Sequence, residues 1–247
     1  MTDSITLTGM VIKSSDVGDY DKRLVILTKE RGKIVAFARG ARRAKSMLVS
    51  GTRLFAFGEF TLYEGREAYT LSKMEIENYF TEISTDMDAM CYGCYFLEFV
   101  DYFSRENVES TELLKLLYQT LRALMNEKIP NRLIRCIFEL KVLVLNGMYP
   151  ELFECIGCRK TELSYFSAVR GGMVCEECRT KTGDAVLIGT STIYAMQFII
   201  TSKIEKLYTF LVKEEVLGEL EFVMRRYLNY HIEKEFNSLK ILNTLLK

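Results

Sequence analysis

Between Ile5 and about Glu77, short apolar runs are interrupted again and again by turn-forming residues. Residues 7–12, 24–28, 33–38, 54–63 and 69–75 are rich in β-branched, aromatic and other apolar side chains. Residues 16–21, 31–32 and 64–67 supply the turns between them. So many strands in so short a stretch predict a small closed barrel. A five-stranded OB-fold fits that count, and closure leaves no exposed sheet edge.

The texture changes after Ile83, Ser84, Thr85 and Asp86. Tyr95, Phe96, Phe99, Val100 and Phe103 recur at helical steps of three and four, which sets a boundary near residue 80. A second helix is expected after Ser110, a residue suited to the N-cap, with Leu113, Leu114, Leu117, Leu121 and Leu124 inward. A third follows Pro130 and stops at Asn146 and Gly147, where glycine takes the left-handed cap conformation. Residues 151–185 break the helical pattern with four cysteines and the pair Gly171 and Gly172. Helical patterning resumes from about Thr190 through Leu246. The expected fold class is therefore α+β and multidomain. An OB-fold barrel occupies residues 1–80, and a helical domain over residues 81–247 carries a cysteine-rich insertion at about 151–185. Neither internal repeats nor low-complexity segments interrupt this plan.

A length of 247 residues suits two such domains. Hydrophobic residues make up 49% and charged residues 27%, the balance of an ordinary globular chain. Met1, Thr2, Asp3 and Ser4 hold no basic region leading into an apolar run, so no export signal is expected. The apolar run at 142–145 is cut by Asn146 and Gly147, far short of the ~18 residues that would suggest a membrane span. A cytoplasmic location is expected. In that setting 7 cysteines point to reduced thiols and metal binding rather than to disulfides. His231 is the one histidine, which counts against most hydrolytic and nucleophilic chemistry.

Cys155, Ile156, Gly157 and Cys158 form one Cys-x-x-Cys pair, and Cys175, Glu176, Glu177 and Cys178 form a second, with residues 159–174 between them. This is the spacing of a zinc ribbon. A two-residue spacer brings both thiolates of a pair onto one ion, and two pairs complete a tetrahedron of sulfurs. Four thiolates leave no vertex for water or substrate, so the expected cofactor is one structural Zn2+. Cys91 and Cys94 repeat the spacing inside an amphipathic helix. Together with Cys136 they are expected to be buried, reduced and unligated. His231 is assigned no metal role.

The formal net charge is +0, from 33 Lys and Arg against 33 Asp and Glu, so any attraction to nucleic acid must come from local segregation of charge. Arg31, Lys33, Arg39, Arg42, Arg43, Lys45 and Arg53 lie in a stretch, up to Gly58, without any Asp or Glu. Arg39, Arg42, Arg43 and Lys45 fall between predicted strands, where a mobile basic loop can follow phosphates and release their counterions. They are the candidate nucleic-acid-binding residues. Phe37, Phe55 and Tyr63 are nearby aromatics that could offer stacking faces if turned outward.

Four landmarks in order resemble the RecO family: Gly9, Met10, Val11 and Ile12 opening the barrel; Asp19, Tyr20, Asp21 and Lys22 before the second strand; residues 28–33 ahead of the third; and residues 39–46, similar to the family's Gly-Ala-Arg-Arg-x-x-Ser element. The resemblance spans essentially the whole chain and includes the cysteine spacing after the helical stretch that ends at Gly147. It implies an OB-fold followed by a helical domain with a zinc-ribbon insertion, and no enzyme active site. Such proteins bind single- and double-stranded DNA and anneal complementary strands. With RecR, and in some bacteria RecF, they load RecA onto DNA coated with single-strand-binding protein. By position, Arg39, Arg42, Arg43 and Lys45 would contact DNA or RecR, and Cys155, Cys158, Cys175 and Cys178 would hold the zinc. Residues 225–231, with Leu239 and Lys240, match the family's basic tail only loosely. The acidic tail of single-strand-binding protein is assigned to the helical domain without a pocket.

Two other classes stay open on the residues alone. A zinc-dependent nucleic-acid enzyme would need an open metal position or a carboxylate cluster, and Glu176 and Glu177 inside a knuckle fit a solvated turn better than a general base. An RNA-binding OB protein would share the barrel, since the fold does not specify the polymer.

Overall fold

The computed structural model of the chain describes residues 4–245. Met1, Thr2 and Asp3, on which the reading of the N-terminus rests, and Leu246, the last residue of the expected helical pattern, lie outside the described residues.

Strands β1 (Ser4–Val17), β2 (Asp21–Thr28), β3 (Gly32–Ala38), β4 (Phe57–Glu64) and β5 (Tyr69–Asn78) close into a barrel in the order β1-β2-β3-β5-β4. The seam is a parallel pairing of Ala36 and Phe37 with Tyr69 and Thr70, and the other strand pairs are antiparallel. This is the expected OB-type barrel. Along β3 buried and half-buried residues alternate throughout, with Ile34, Ala36 and Ala38 inward. Leu7, Val11, Leu24, Ile26, Phe60, Leu62 and Leu71 complete the core beside them. Met10, Val25 and Leu27 are as buried as these but lie on the opposite face, where helices pack on β1 and β2.

β1 is longer than its apolar core at 7–12 because it serves two neighbours. Ser4 to Met10 pair with β4, and Gly9 to Val17 pair with β2. Ladder hydrogen bonds recruit its polar ends. Gly9 and Gly58 face each other where strands converge: a β carbon at 9 would lie 2.6 Å from the Leu27 oxygen, and one at 58 would lie 2.1 Å from the Glu75 oxygen. The strand expected from residue 54 begins instead at Phe57. Phe55 adopts a left-handed φ of 68°, which no strand residue does. In exchange its ring is buried, with its tip 3.0 Å from where a β carbon on Gly93 would stand.

Helices follow: α1 (Met87–Phe103), α2 (Thr111–Leu124) and α3 (Asn131–Leu145). The Asp86 carboxylate caps α1 by accepting from the backbone N–H of Asp88 and of Ala89. Ser110 sits at the N-cap of α2 as expected, but its hydroxyl donates to the Val108 carbonyl and makes no side-chain cap. Gly147 takes the predicted left-handed φ of 68° after α3. The apolar pattern expected from Thr190 onward resolves into three helices, α5 (Thr190–Thr201), α6 (Glu214–His231) and α7 (Asn237–Leu245), numbered after a short α4 described below. No described helix is long and apolar enough to cross a membrane.

The texture changes from strand to helix at residues 79–86, beside the boundary at 80 drawn from the sequence. Compactness divides the chain differently. One unit holds the barrel, α1, α2 and the residues from Ser238 onward, and residues 126–237 form the other. In the second unit α3 packs on α5 and α6. Lys141 of α3, 6% exposed, donates its ammonium protons to the carbonyls of Ile199, Ile200 and Ser202, which closes the C-terminal end of α5.

Candidate metal centre and nucleic-acid interface

Residues 151–189 fold around three short strands, β6 (Tyr165–Ser167), β7 (Gly172–Val174) and β8 (Val186–Leu187), in the order β7-β6-β8. The first cysteine pair precedes β6. The second follows β7 and opens α4 (Glu176–Arg179). The hairpin thus carries both pairs to the same end, and Ile156 is tied across by its N–H to the Met173 carbonyl at 3.0 Å.

The Sγ atoms of Cys155, Cys158, Cys175 and Cys178 all lie within 4.8 Å of one another, and those of Cys158 and Cys175 are 3.5 Å apart. A tetrahedron with metal–sulfur bonds of about 2.3 Å has edges of roughly 3.8 Å, so the cluster has the dimensions of a four-thiolate zinc shell. Cys155 and Cys175 are buried, and Cys158 is exposed. In the first knuckle the Cys155 N–H reaches the Lys160 carbonyl at 2.8 Å, and the Arg159 N–H reaches the Cys155 carbonyl at 2.8 Å. A β carbon at Gly157 would stand 2.9 Å from the Cys178 sulfur, so a larger residue there would have to displace that sulfur.

Backbone dipoles favour a thiolate here. Burial would raise the Cys155 thiol, but N–H groups of Cys175, Gly157 and Cys158 outweigh it and hold the group down to about 6. Hydrogen bonds with the Cys158 and Cys175 sulfurs push Cys178 up to about 12. Four sulfurs this close cannot all ionise by themselves, and a bound dication removes that conflict. The donor set fits Zn2+, which would fold the ribbon without reacting. Lys160 stands at the rim, paired at 2.7 Å with Glu177. Glu176 lies 3.8 Å from Arg179, so both glutamates within the second knuckle face basic side chains.

The remaining cysteines lie apart from this cluster. Cys136 is buried in α3 as expected, and burial raises its thiol well above the ordinary value. Cys91 and Cys94 correct the expectation of burial. Both are only half-buried on α1, although partial burial, with a smaller contribution from Cys91, still raises the Cys94 thiol. His231 ends α6 with its Nε2 2.8 Å from the Ala168 carbonyl, a contact to the turn after β6.

The basic segment forms the connection between β3 and β4, and Arg39, Arg42, Arg43 and Lys45 are all exposed on it. Its charge is less uniform than the residue order suggests. Arg31 pairs with Glu64 at 2.9 Å, Lys33 with Asp101 at 3.2 Å, and Arg42 with Asp16 at 3.2 Å. Among the described residues no ion-pair partner is seen for Arg39, Arg43, Lys45 or Arg53. Nor is the connection untethered. The Arg42 N–H donates to the Tyr20 carbonyl at 2.9 Å, and its guanidinium donates to the carbonyls of Gly18 and Asp19 at 3.2 Å. The Gly40 N–H reaches the Asp21 carboxylate at 2.7 Å. The connection is fastened to the β1–β2 turn.

Of the aromatics named from the sequence, Phe55 is buried, Phe37 is half-buried and Tyr63 is exposed. Sequence reasoning counted Tyr20 among the landmarks but gave it no binding role; it stands in the β1–β2 turn with the Arg43 guanidinium carbon 5.2 Å from its ring centroid. An aromatic inside an otherwise polar turn is the signal that would have found it.

Two family profiles match the chain. The one described as Recombination protein O N terminal covers residues 1–80, and the one described as Recombination protein O C terminal covers residues 84–240. The chain is 34% identical over 241 residues to the DNA repair protein RecO of Acetivibrio thermocellus, with 96% of each chain covered. It is 32% identical over 240 residues to that of Alkaliphilus metalliredigens, with 96% of this chain and 98% of the other covered. With that of Thermoanaerobacter sp. (strain X514) it shares 30% identity over 237 residues, and 96% of each chain is covered.

Proposed function

Because the chain belongs to the RecO family of DNA repair proteins, we propose that it is a non-catalytic recombination mediator that binds single- and double-stranded DNA and anneals complementary strands. In this reading it also helps load RecA onto single-stranded DNA with RecR, and RecF is a further partner. The helical unit receives the acidic tail of single-strand-binding protein, and the work takes place in the cytoplasm on the nucleoid.

The observation that carries the reading is the basic connection on the barrel. In a chain of formal net charge +0, Arg39, Arg43 and Lys45 project from a fastened loop without acidic partners among the described residues. Arg42 contributes charge but also holds the loop to the β1–β2 turn. Such a face meets phosphate without reading sequence. A mediator needs this property, because it must act on any strand.

Zinc in the ribbon would hold the insertion folded. Cys155, Cys158, Cys175 and Cys178 fill all four vertices and leave none for an activated water, which supports a structural role over a zinc-dependent enzyme. The test is annealing of complementary oligonucleotides by the purified protein, with DNA and RNA strands compared. Faster annealing of DNA than in the protein-free control is expected, and no nuclease or deaminase activity on zinc addition. Stronger competition by RNA than by DNA would favour an RNA-binding OB protein instead.

A further inference from the structure

We propose that Tyr20 is a base-stacking platform that gives the barrel's basic face a preference for unpaired nucleotides over duplex. The inference rests on the DNA-binding reading and adds to it the group that distinguishes one strand from two.

Tyr20 lies in the turn between β1 and β2 and is 53% exposed, so its ring fills no core. The turn that carries the ring is held in place. Gly18, with φ of 56°, makes the turn. Arg42 binds the carbonyls of Gly18, Asp19 and Tyr20 through its guanidinium and its own N–H, and Asp21 takes the N–H of Gly40. The turn and the basic connection therefore present one surface.

The ring's environment is asymmetric. The Arg43 guanidinium lies over it at 5.2 Å from the centroid, a cation–π contact that occupies one face. Arg43 is itself exposed, so the tyrosine does not serve to cover a buried charge. About half of Tyr20 remains exposed to solvent, and Arg39 and Lys45, on the same connection as Arg43, are exposed and available to phosphate. A nucleobase stacked on the open side would complete a guanidinium–tyrosine–base sandwich. Any base has a π face, so the contact is sequence-tolerant. In a duplex the bases already stack on each other and offer no free face, whereas the phosphates remain accessible. The arginines and lysine should thus bind both forms, and Tyr20 should contribute only to the single strand.

The experiment compares the full-length protein with Tyr20→Ala, Tyr20→Leu and Tyr20→Phe by fluorescence anisotropy at one salt concentration. Three probes of equal phosphate number are used: oligo(dT), a duplex, and a strand of abasic residues. Tyr20→Ala and Tyr20→Leu should weaken oligo(dT) binding by about tenfold while leaving the duplex and the abasic strand unchanged. Tyr20→Phe, which keeps the ring, should bind like the parent. Equal losses on all three probes, or no loss on oligo(dT), would overturn the stacking role. Arg39→Ala combined with Lys45→Ala separates this from the underlying reading, because it should weaken all three probes. If it weakens none, the face does not bind DNA at all, whatever Tyr20 does.

Discussion

Lys33 donates its ammonium proton to the Asp101 backbone carbonyl at 2.7 Å and lies 3.2 Å from a carboxylate oxygen of the same residue. One barrel lysine thus grips α1 at two points of a single aspartate. Lys13 completes the clamp at 2.7 Å from the other carboxylate oxygen. Sequence order places Lys33 in an acid-free basic stretch, yet its charge is spent on fixing a helix to the barrel rather than on attracting a ligand.

This clamp predicts acid sensitivity. Burial pulls the Asp101 carboxyl upward, and the hydrogen bonds and charges of Lys13 and Lys33 more than reverse it, so it titrates below the ordinary aspartate value. A carboxyl whose folded value is depressed stabilises the fold above its unfolded value of about 3.9, and that contribution disappears as pH falls through the folded value. Asp101→Asn should lower stability at pH 7 by about 1–3 kcal/mol. It should also flatten the dependence of stability on pH in the acid range below about 4. Urea titrations across pH check both, and an unchanged acid profile would contradict the clamp.

Metal analysis of the purified protein should give about one zinc per chain. Cys175→Ser removes a buried ligand, so the metal should be lost and the second unit destabilised while the barrel stays folded. Hydrogen exchange resolved by peptide is the suitable readout. Full protection of residues 151–189 in the metal-free variant would contradict a structural site.

Changing both Cys91 and Cys94 to Ala should leave zinc content as it is, because these thiols lie on α1 in the other compact unit, apart from the four clustered sulfurs. Their partial exposure predicts that alkylating reagents reach them in the folded protein, and reach the fully buried Cys136 far more slowly. Mass mapping of the modified thiols tests this order.

Phosphate binding by the basic connection should show in salt dependence. Replacing Arg39 and Lys45 together by Ala should reduce the slope of log K against log salt for single strands by roughly 1.4, at about 0.7 per lost contact. Folding should survive, since exposed charges without partners alter stability by no more than about 0.5 kcal/mol each. Replacing Arg42 should behave differently, because it also loosens the β1–β2 turn and adds a stability cost that the others lack.

The barrel was legible because its apolar, β-branched and aromatic runs are divided by turn residues, and the four-cysteine cluster was legible because ligand spacing is a local property of the chain. What escaped depended on partners distant in sequence. Phe55 reads as a strand residue, but burial against Gly93 of α1 drives it to a positive φ. The half-exposure of Cys91 and Cys94 is set by what α1 packs against, which a helical period alone does not reveal. The ion pairs of Arg31, Lys33 and Arg42 with Glu64, Asp101 and Asp16 cross strands and elements, so the free charge of the basic connection could be judged only after folding. Tyr20 was given no binding role because its significance comes from Arg43, on a connection fastened to its turn by contacts distant in sequence.

The first compact unit is not continuous in the chain. It holds the residues up to Met125 and resumes at Ser238, whose N–H donates to the Glu98 carboxylate of α1 at 2.9 Å. Residues 126–237 are therefore made before the segment from Ser238 that rejoins the first unit. Loop-closure entropy rises by only about 0.6 kcal/mol for each doubling of loop length, so the intervening unit can lengthen or shorten with little penalty to the closure. Completion of the barrel-bearing unit thus waits on synthesis of the whole second unit.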